Sequence, residues 1–193
     1  MRIIAGTNRG LKLATPKGRE VRPILDRVRE SLFGVLRNDL DGASVADLFA
    51  GTGVIGLEAL SRGADHCIFI ERDPRCIATM KENIRRARAE DRAIVVRSDV
   101  FRSTDQLAEH GPLGLVFVDP PYRLLRSPRN LDKVLGLVAR LGETDILATG
   151  ATVILRSPVD AAVPASVGPL TKTDSRRYGG MHVSLFKQTG PHP

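Results

Sequence analysis

Two short stretches of this 193-residue chain bring together residue types that chemistry can use. The first is Asp119-Pro120-Pro121-Tyr122, which follows the apolar run Leu115-Val116-Phe117-Val118. Such a run reads as a buried strand, and the two prolines end it because neither can donate a ladder hydrogen bond. The stop leaves the Asp119 carboxylate and the Pro120 carbonyl at the strand's C-terminal edge, with Tyr122 beside them as an aromatic plate. Two acceptors and one ring suit a planar group that bears an amino substituent: partners for its N–H bonds and a surface for its face. Reaction at that nitrogen develops positive charge, which a preplaced carboxylate stabilises, so no strong general base is required. Read only structurally, the same residues end a strand and cover a core.

The second stretch is Asp47-Leu48-Phe49-Ala50-Gly51-Thr52-Gly53-Val54-Ile55-Gly56. Gly51 and Gly53 let backbone N–H groups approach a ligand, and Gly56 lets a helix pack closely on a strand. Glu71 stands 15 residues after Gly56, at the end of the next apolar run, where a carboxylate can accept from ribose hydroxyls. This loop alone leaves a nicotinamide enzyme open. Such an enzyme gives no purpose to Asp119–Tyr122, and the chain has no room for its substrate domain.

The positions of these residues depend on the elements around them. Residues 2–5 and 11–14 read as a hairpin about Gly6–Gly10, and Ile24 to Leu36 as an amphipathic helix with a charged start. Strands are expected at Ser44–Phe49, Cys67–Glu71, Ala93–Arg97, Leu115–Asp119 and Ala151–Leu155. Helices are expected at Val54–Arg62, Pro74–Glu90, Ser103–His110 and Leu131–Leu141. Leu170–Ser175 and His182–Lys187, joined through Tyr178-Gly179-Gly180, read as an antiparallel pair. The rhythm predicts an α/β, doubly wound, mostly parallel seven-stranded sheet that ends in an antiparallel hairpin, with ligand at the carboxyl ends of its strands. Residues 1–22 form a small basic β-hairpin extension in this reading, and 23–190 the main domain.

With 42% hydrophobic and 26% charged residues, the composition is that of a folded chain, and disorder over most of its length is excluded. The net charge of +7 is uneven: residues 1–40 hold nine basic and four acidic groups, whereas 41–155 hold 15 and 16. Basic ends on a neutral body read as a polyanion footprint, with Arg9, Lys12, Arg22, Arg27 and Arg29 as phosphate contacts and Arg176 and Arg177 as weaker ones. Two cysteines, nine residues apart, and four scattered histidines form no ligand set, so no metal is expected. No window approaches the roughly 18 apolar residues of a membrane span, and the chain reads as a cytoplasmic protein.

Together the two stretches resemble the class I S-adenosylmethionine-dependent methyltransferases that act on exocyclic amino groups of bases. Arg2-Ile3-Ile4-Ala5-Gly6, then Arg22-Pro23 with Asp26-Arg27-Val28-Arg29-Glu30-Ser31-Leu32-Phe33, then Gly56-Leu57-Glu58-Ala59-Leu60-Ser61-Arg62-Gly63-Ala64, are similar to the RsmD-type family. The likeness runs in order along nearly the whole chain. Ile24, where the family's pattern has Thr, and Gly34, where Asn often stands, depart from it on the helix surface.

The resemblance implies a Rossmann-like fold and S-adenosyl-L-methionine as cofactor. It also implies methylation of a guanine N2 in 16S rRNA, within an assembled or partly assembled small ribosomal subunit, by a monomer that needs no membrane. It places Asp47, Ala50, Gly51, Thr52 and Gly53 against the cofactor's methionine part, Glu71 on its ribose and Asp99 on its adenine, with Asp119, Pro120 and Tyr122 at the reacting amino group. Asp99 can equally cap a helix. A DNA amino-methyltransferase acting on adenine N6 or cytosine N4 shares the Asp-Pro-Pro-Tyr logic, but the chain carries no added domain to read a duplex. Cytosine C5 chemistry needs a nucleophilic Cys that neither Cys67 nor Cys76 offers, and a non-catalytic RNA-binding module explains only the charge.

Overall fold

The computed structural model describes residues 1–16 and 26–188. Arg22, Ile24 and the expected division between residues 22 and 23 lie outside the described residues. At the N-terminus Arg2 bridges Lys12 in antiparallel fashion. The Ile3 amide donates to the Leu11 carbonyl at 3.0 Å, and the Leu13 amide to that of Met1 at 3.0 Å. Ile3 and Leu13, on the inner face of this turn, are buried in the core. The turn is therefore packed on the main body: Glu58, fully buried, accepts from the Ile4 amide at 2.8 Å and the Ala5 amide at 3.1 Å.

Helices α1 (Asp26–Val35) and α2 (Arg37–Leu40) follow, and then the alternating units begin. These are β1 (Ser44–Leu48), α3 (Val54–Ser61), β2 (His66–Glu71), α4 (Pro74–Arg86), β3 (Ala93–Arg97), α5 (Thr104–Ala108) and β4 (Leu113–Val118). Next come α6 (Tyr122–Leu125), α7 (Pro128–Gly142), β5 (Leu147–Pro158), β6 (Ser166–Val167), β7 (Leu170–Tyr178) and β8 (Met181–Gln188). The strand order is β3-β2-β1-β4-β5-β8-β7-β6. Strands β1 to β5 run parallel, and β8, β7 and β6 are added antiparallel.

Both faces of the parallel part are covered, as such sheets require. One face packs Phe69, Leu115 and Phe117 against Phe33, Leu57 and Leu60. The other packs Ile68, Val116 and Val118 against Val134, Leu137 and Leu141 of α7. Strand order reverses direction between β1 and β4, so a crevice opens at their carboxyl ends.

Several elements differ from the sequence reading: the short helices α2 and α6 were not expected, α7 begins at Pro128 rather than Leu131, and β7 runs on to Tyr178. The sheet has an eighth strand, β6, whose two residues between Pro164 and Gly168 are too few to show a period. Strand β5 starts four residues early, because Gly150 at φ +78° interrupts the apolar run without ending the strand. Helix α4 stops at Arg86 rather than Glu90. Arg88 takes φ +52°, its amide bonds the Arg85 carbonyl, and the Ala89 amide bonds that of Ile84, which is the hydrogen-bond pattern of a Schellman stop.

Candidate active site

The loop after β1 is shaped by packing as much as by ligand access. A Cβ on Gly56 would lie 2.3 Å from Phe69 Cε1 and 2.5 Å from Cys67 Sγ, so only glycine lets α3 sit this close to β2. Gly53, at φ +78°, opens α3 from the left-handed region, and a Cβ there would meet Met80 Cγ at 2.9 Å.

Asp47, buried on β1, accepts from the Gly56 amide through Oδ2 at 3.0 Å, while its Oδ1 has no partner among the described residues. Burial pushes its carboxyl up to about 8, with the charges of Asp119 and Glu71 adding and the Gly56 amide opposing. Glu71 ties the loop to the next turn. Its Oε2 accepts from the Gly51 amide at 2.9 Å, and its Oε1 from the amides of Arg72 at 2.8 Å and Asp73 at 2.9 Å.

Asp99 serves as a cap and keeps part of its carboxylate at the surface. Its Oδ1 caps a short turn by accepting from the Phe101 amide at 3.2 Å, and its side chain is still 42% exposed, with Arg72 at 3.8 Å.

Across the crevice, Asp119 follows the last residue of β4, and its amide donates to the Leu48 carbonyl at 3.3 Å. Val118 pairs with Leu155 in the parallel register, so the next step along both strands sets Asp119 beside Arg156. The Arg156 Nε donates to Asp119 Oδ1, and the guanidinium carbon lies 5.7 Å from the Tyr122 ring centroid. Both side chains are largely buried, at 16% exposed for Asp119 and 12% for Arg156. Burial raises the Asp119 carboxyl above its ordinary range, against the opposing charge and hydrogen bond of Arg156.

One cavity of about 1380 Å³ joins the two sides. On its first wall stand Asp47, Ala50, Gly51, Thr52, Glu71 and Asp99; on its second, Asp119, Tyr122, Arg123 and Arg156. Gly53 and Pro120 do not reach the wall. Pro120 is buried, and Pro121 lines the cavity.

Arg156 was missed by sequence reasoning. Its signal was a lone cation directly after the apolar run Ala151–Leu155, matching the place of Asp119 after its own strand. Among the described residues no group of three or more His, Cys, Asp and Glu could hold a metal ion, and no helix is long and apolar enough to cross a membrane.

Of the expected phosphate contacts, Arg9, Lys12 and Arg27 are exposed, and Arg22 lies outside the described residues. Arg29 is corrected: it is fully buried, its Nη2 donating to the Arg2 carbonyl at 2.7 Å and to Asp26 Oδ1 at 2.8 Å. It lies three and four residues before Leu32 and Phe33, on the inward face of α1, where it anchors the N-terminal turn. Arg123 lines the cavity, and it and the following Arg126 and Arg129 are exposed, none of them ion-paired with a described residue.

The family model described as "Conserved hypothetical protein 95" matches residues 1–187. YlbH of Bacillus subtilis is 35% identical over 192 residues, which is 98% of this chain and all of that protein. Ribosomal RNA small subunit methyltransferase D of Escherichia coli K12 is 38% identical over 167 residues, 85% of this chain and 78% of that one. The solved structure of yhhF from Escherichia coli is 34% identical, superposes with a TM-score of 0.80, and is matched over 97% of each chain. The architecture is the Rossmann-like methyltransferase fold, and the chain belongs to the RsmD-type family of rRNA methyltransferases.

Proposed function

We propose that the chain transfers a methyl group from S-adenosyl-L-methionine to the N2 amino group of a guanine in 16S rRNA, presented in an assembled or partly assembled small subunit. The observation that carries this reading is the single cavity with the glycine loop on one wall and the Asp119 carboxylate and Tyr122 ring on the other. Membership in a family that includes a small-subunit rRNA methyltransferase supports it.

The residues present fit the cofactor. The unpartnered Oδ1 of Asp47 suits an ammonium group. Glu71, fixed by three amides, keeps lone pairs for ribose hydroxyls, and half-exposed Asp99 is an acceptor for an adenine amino group. When bound, S-adenosylmethionine supplies an electrophilic methyl group on a sulfonium.

The chain's own task is then to align a poor nucleophile. Guanine offers adjacent N1–H and N2–H donors, an edge from which the Asp119 Oδ2 that Arg156 leaves open can accept. Adenine N6 and cytosine N4 each stand next to a ring nitrogen whose lone pair would face the carboxylate. Asp119 as an acceptor therefore favours guanine N2 and stabilises the positive charge that develops there. The other N2–H is left to the backbone of the Pro120-Pro121 turn. Tyr122 stacks on the unstacked base, and Arg9, Lys12, Arg27 and the Arg123, Arg126 and Arg129 group hold phosphates.

The test is methyl transfer from labelled S-adenosylmethionine to unmodified small subunits, protein-free rRNA and duplex DNA, with Asp119→Ala as control. N2-methylguanine in either RNA acceptor, lost in the control, is the expected result. Label in DNA alone, or in no acceptor despite cofactor binding, overturns the reading.

A further inference from the structure

The mechanism above uses Asp119 as an acceptor but gives no work to the cation that grips it. Arg156 comes from a different strand, 37 residues away, and directly follows the run Ala151–Leu155 of β5 at the position that register sets beside Asp119. It binds through Nε to Oδ1 only, so Oδ2 is not engaged by any described residue. Its guanidinium also lies over the Tyr122 ring, the surface assigned to the base. One side chain thus touches both members of the acceptor wall.

We propose that Arg156 is a positioning residue for methyl transfer, one that keeps Asp119 a carboxylate anchored by Oδ1 and turned so that Oδ2 meets the N–H donor edge of the acceptor base. The proposal rests on the amino-transfer reading of the site. Burial disfavours the negative charge on this carboxyl group, and Arg156 opposes that effect through its charge and its hydrogen bond; Asp47 of β1 and Glu71 of β2 line the same cavity. Facing it from the other elements are Arg156 of β5 and, on α6, Tyr122 and Arg123; Arg156 is the cation bonded to it.

Without that cation nothing opposes the burial that already raises the Asp119 carboxyl, and Asp119 takes up a proton more readily than in the wild type. The protonated acid offers an O–H donor to an edge that itself donates, so the edge is no longer read, and the charge that would have stabilised the reacting nitrogen is gone. Arg156 in this way sets which base edges the site accepts, although it need not contact the reacting atom.

The test compares wild type, Arg156→Met and Arg156→Lys for kcat on the RNA acceptor across about pH 6 to pH 9, with S-adenosylhomocysteine affinity measured by calorimetry. In Arg156→Met, kcat is expected to fall on the order of 100-fold at neutral pH, and its acid limb to move up by about one pH unit or more, so that the loss narrows as pH rises. Arg156→Lys is expected to restore most of the rate and return the limb toward the wild-type position. S-adenosylhomocysteine affinity stays within about threefold in both.

A rate loss with an unmoved acid limb overturns the proposal and leaves Arg156 a packing residue. So does an Arg156→Lys variant that folds and is as impaired as Arg156→Met. If Arg156→Met fails to bind S-adenosylhomocysteine, Arg156→Lys decides alone: a retained rate and limb support the proposal, and a lost rate at unchanged affinity ends it. Failure of the parent reading looks different, since wild type itself would then methylate no base amino group.

Discussion

The two walls of the cavity are built by different physics. On the β1–β2 side almost every fixed contact joins a carboxylate to a backbone amide: Asp47 to Gly56, and Glu71 to Gly51, Arg72 and Asp73. On the β4–β5 side the contacts run between side chains, Asp119 to Arg156 and Arg156 to Tyr122. Amides cannot leave without unfolding the loop, so the first wall is a preformed cradle. The second wall is an ion pair held between the side chains of two strands. Binding of cofactor and handling of the acceptor should therefore be separable by mutation.

The sharpest way to separate them is Asp119→Ala. Methyl transfer is expected to fall by at least about 10²–10³-fold, the effect of deleting one preorganised partner of a developing charge, while S-adenosylhomocysteine affinity changes by less than about threefold. Rate assays and calorimetry on the same preparation check it. Equal losses in both would show that the walls are one cooperative unit.

The mirror-image change is Glu71→Ala. It removes a charged acceptor from three amides and from the proposed ribose contact, so S-adenosylhomocysteine affinity is expected to drop about 10–100-fold. Affinity for RNA, measured without cofactor by filter binding, should stay within about twofold. A larger loss of RNA binding would break the division of labour.

The same contrast explains what could be read from the sequence. The cradle is local: Asp47, the glycine loop and Glu71 lie within 25 consecutive residues, and their types announce their contacts. The end of β4 was legible because prolines stop a strand wherever it lies. Arg156 was not, because its meaning comes from a strand register that pairs residues 37 apart. Arg29 misled for the opposite reason: charge suggested the surface, whereas its place one turn before Leu32 and Phe33 put it inside. The two-residue β6 had no period to detect.

A third prediction uses the titration of the cradle itself. Asp47 is raised from its ordinary 3.8 to about 8 by burial, so between those values the folded chain binds a proton that the unfolded chain has released. Folding stability contributed by this group is therefore present below about pH 4 and is lost as pH rises toward 8. Wild type is expected to lose melting temperature between about pH 5 and pH 8 more steeply than Asp47→Asn, by at least about 3 °C, as scanning calorimetry would record. Uptake of S-adenosylhomocysteine at neutral pH should release a proton from wild type and not from Asp47→Asn, provided its ammonium meets Oδ1. Parallel pH slopes for the two proteins would mean that Asp47 is ionised in the folded state.

The smallest expected effect concerns which wall faces the nucleic acid. Arg9 and Lys12 belong to the N-terminal turn packed beside the cradle, whereas Arg123, Arg126 and Arg129 lie directly after the acceptor wall. If the base enters over Tyr122, the flanking phosphates of an unpaired strand run past the second group first. Replacing all three arginines with Gln should then lower the slope of log affinity against log salt by about two, since each phosphate contact contributes roughly 0.7 on a single strand. Affinity near physiological salt would fall only several-fold, because the basic ends still bind. Arg9→Gln with Lys12→Gln should lower the slope by about one, and neither change should alter cofactor affinity, because none of these cations is bonded to the cradle. A slope that responds only to the N-terminal pair would place the RNA path across the cradle side, and the base would then have to reach Asp119 from the opposite lip of the cavity.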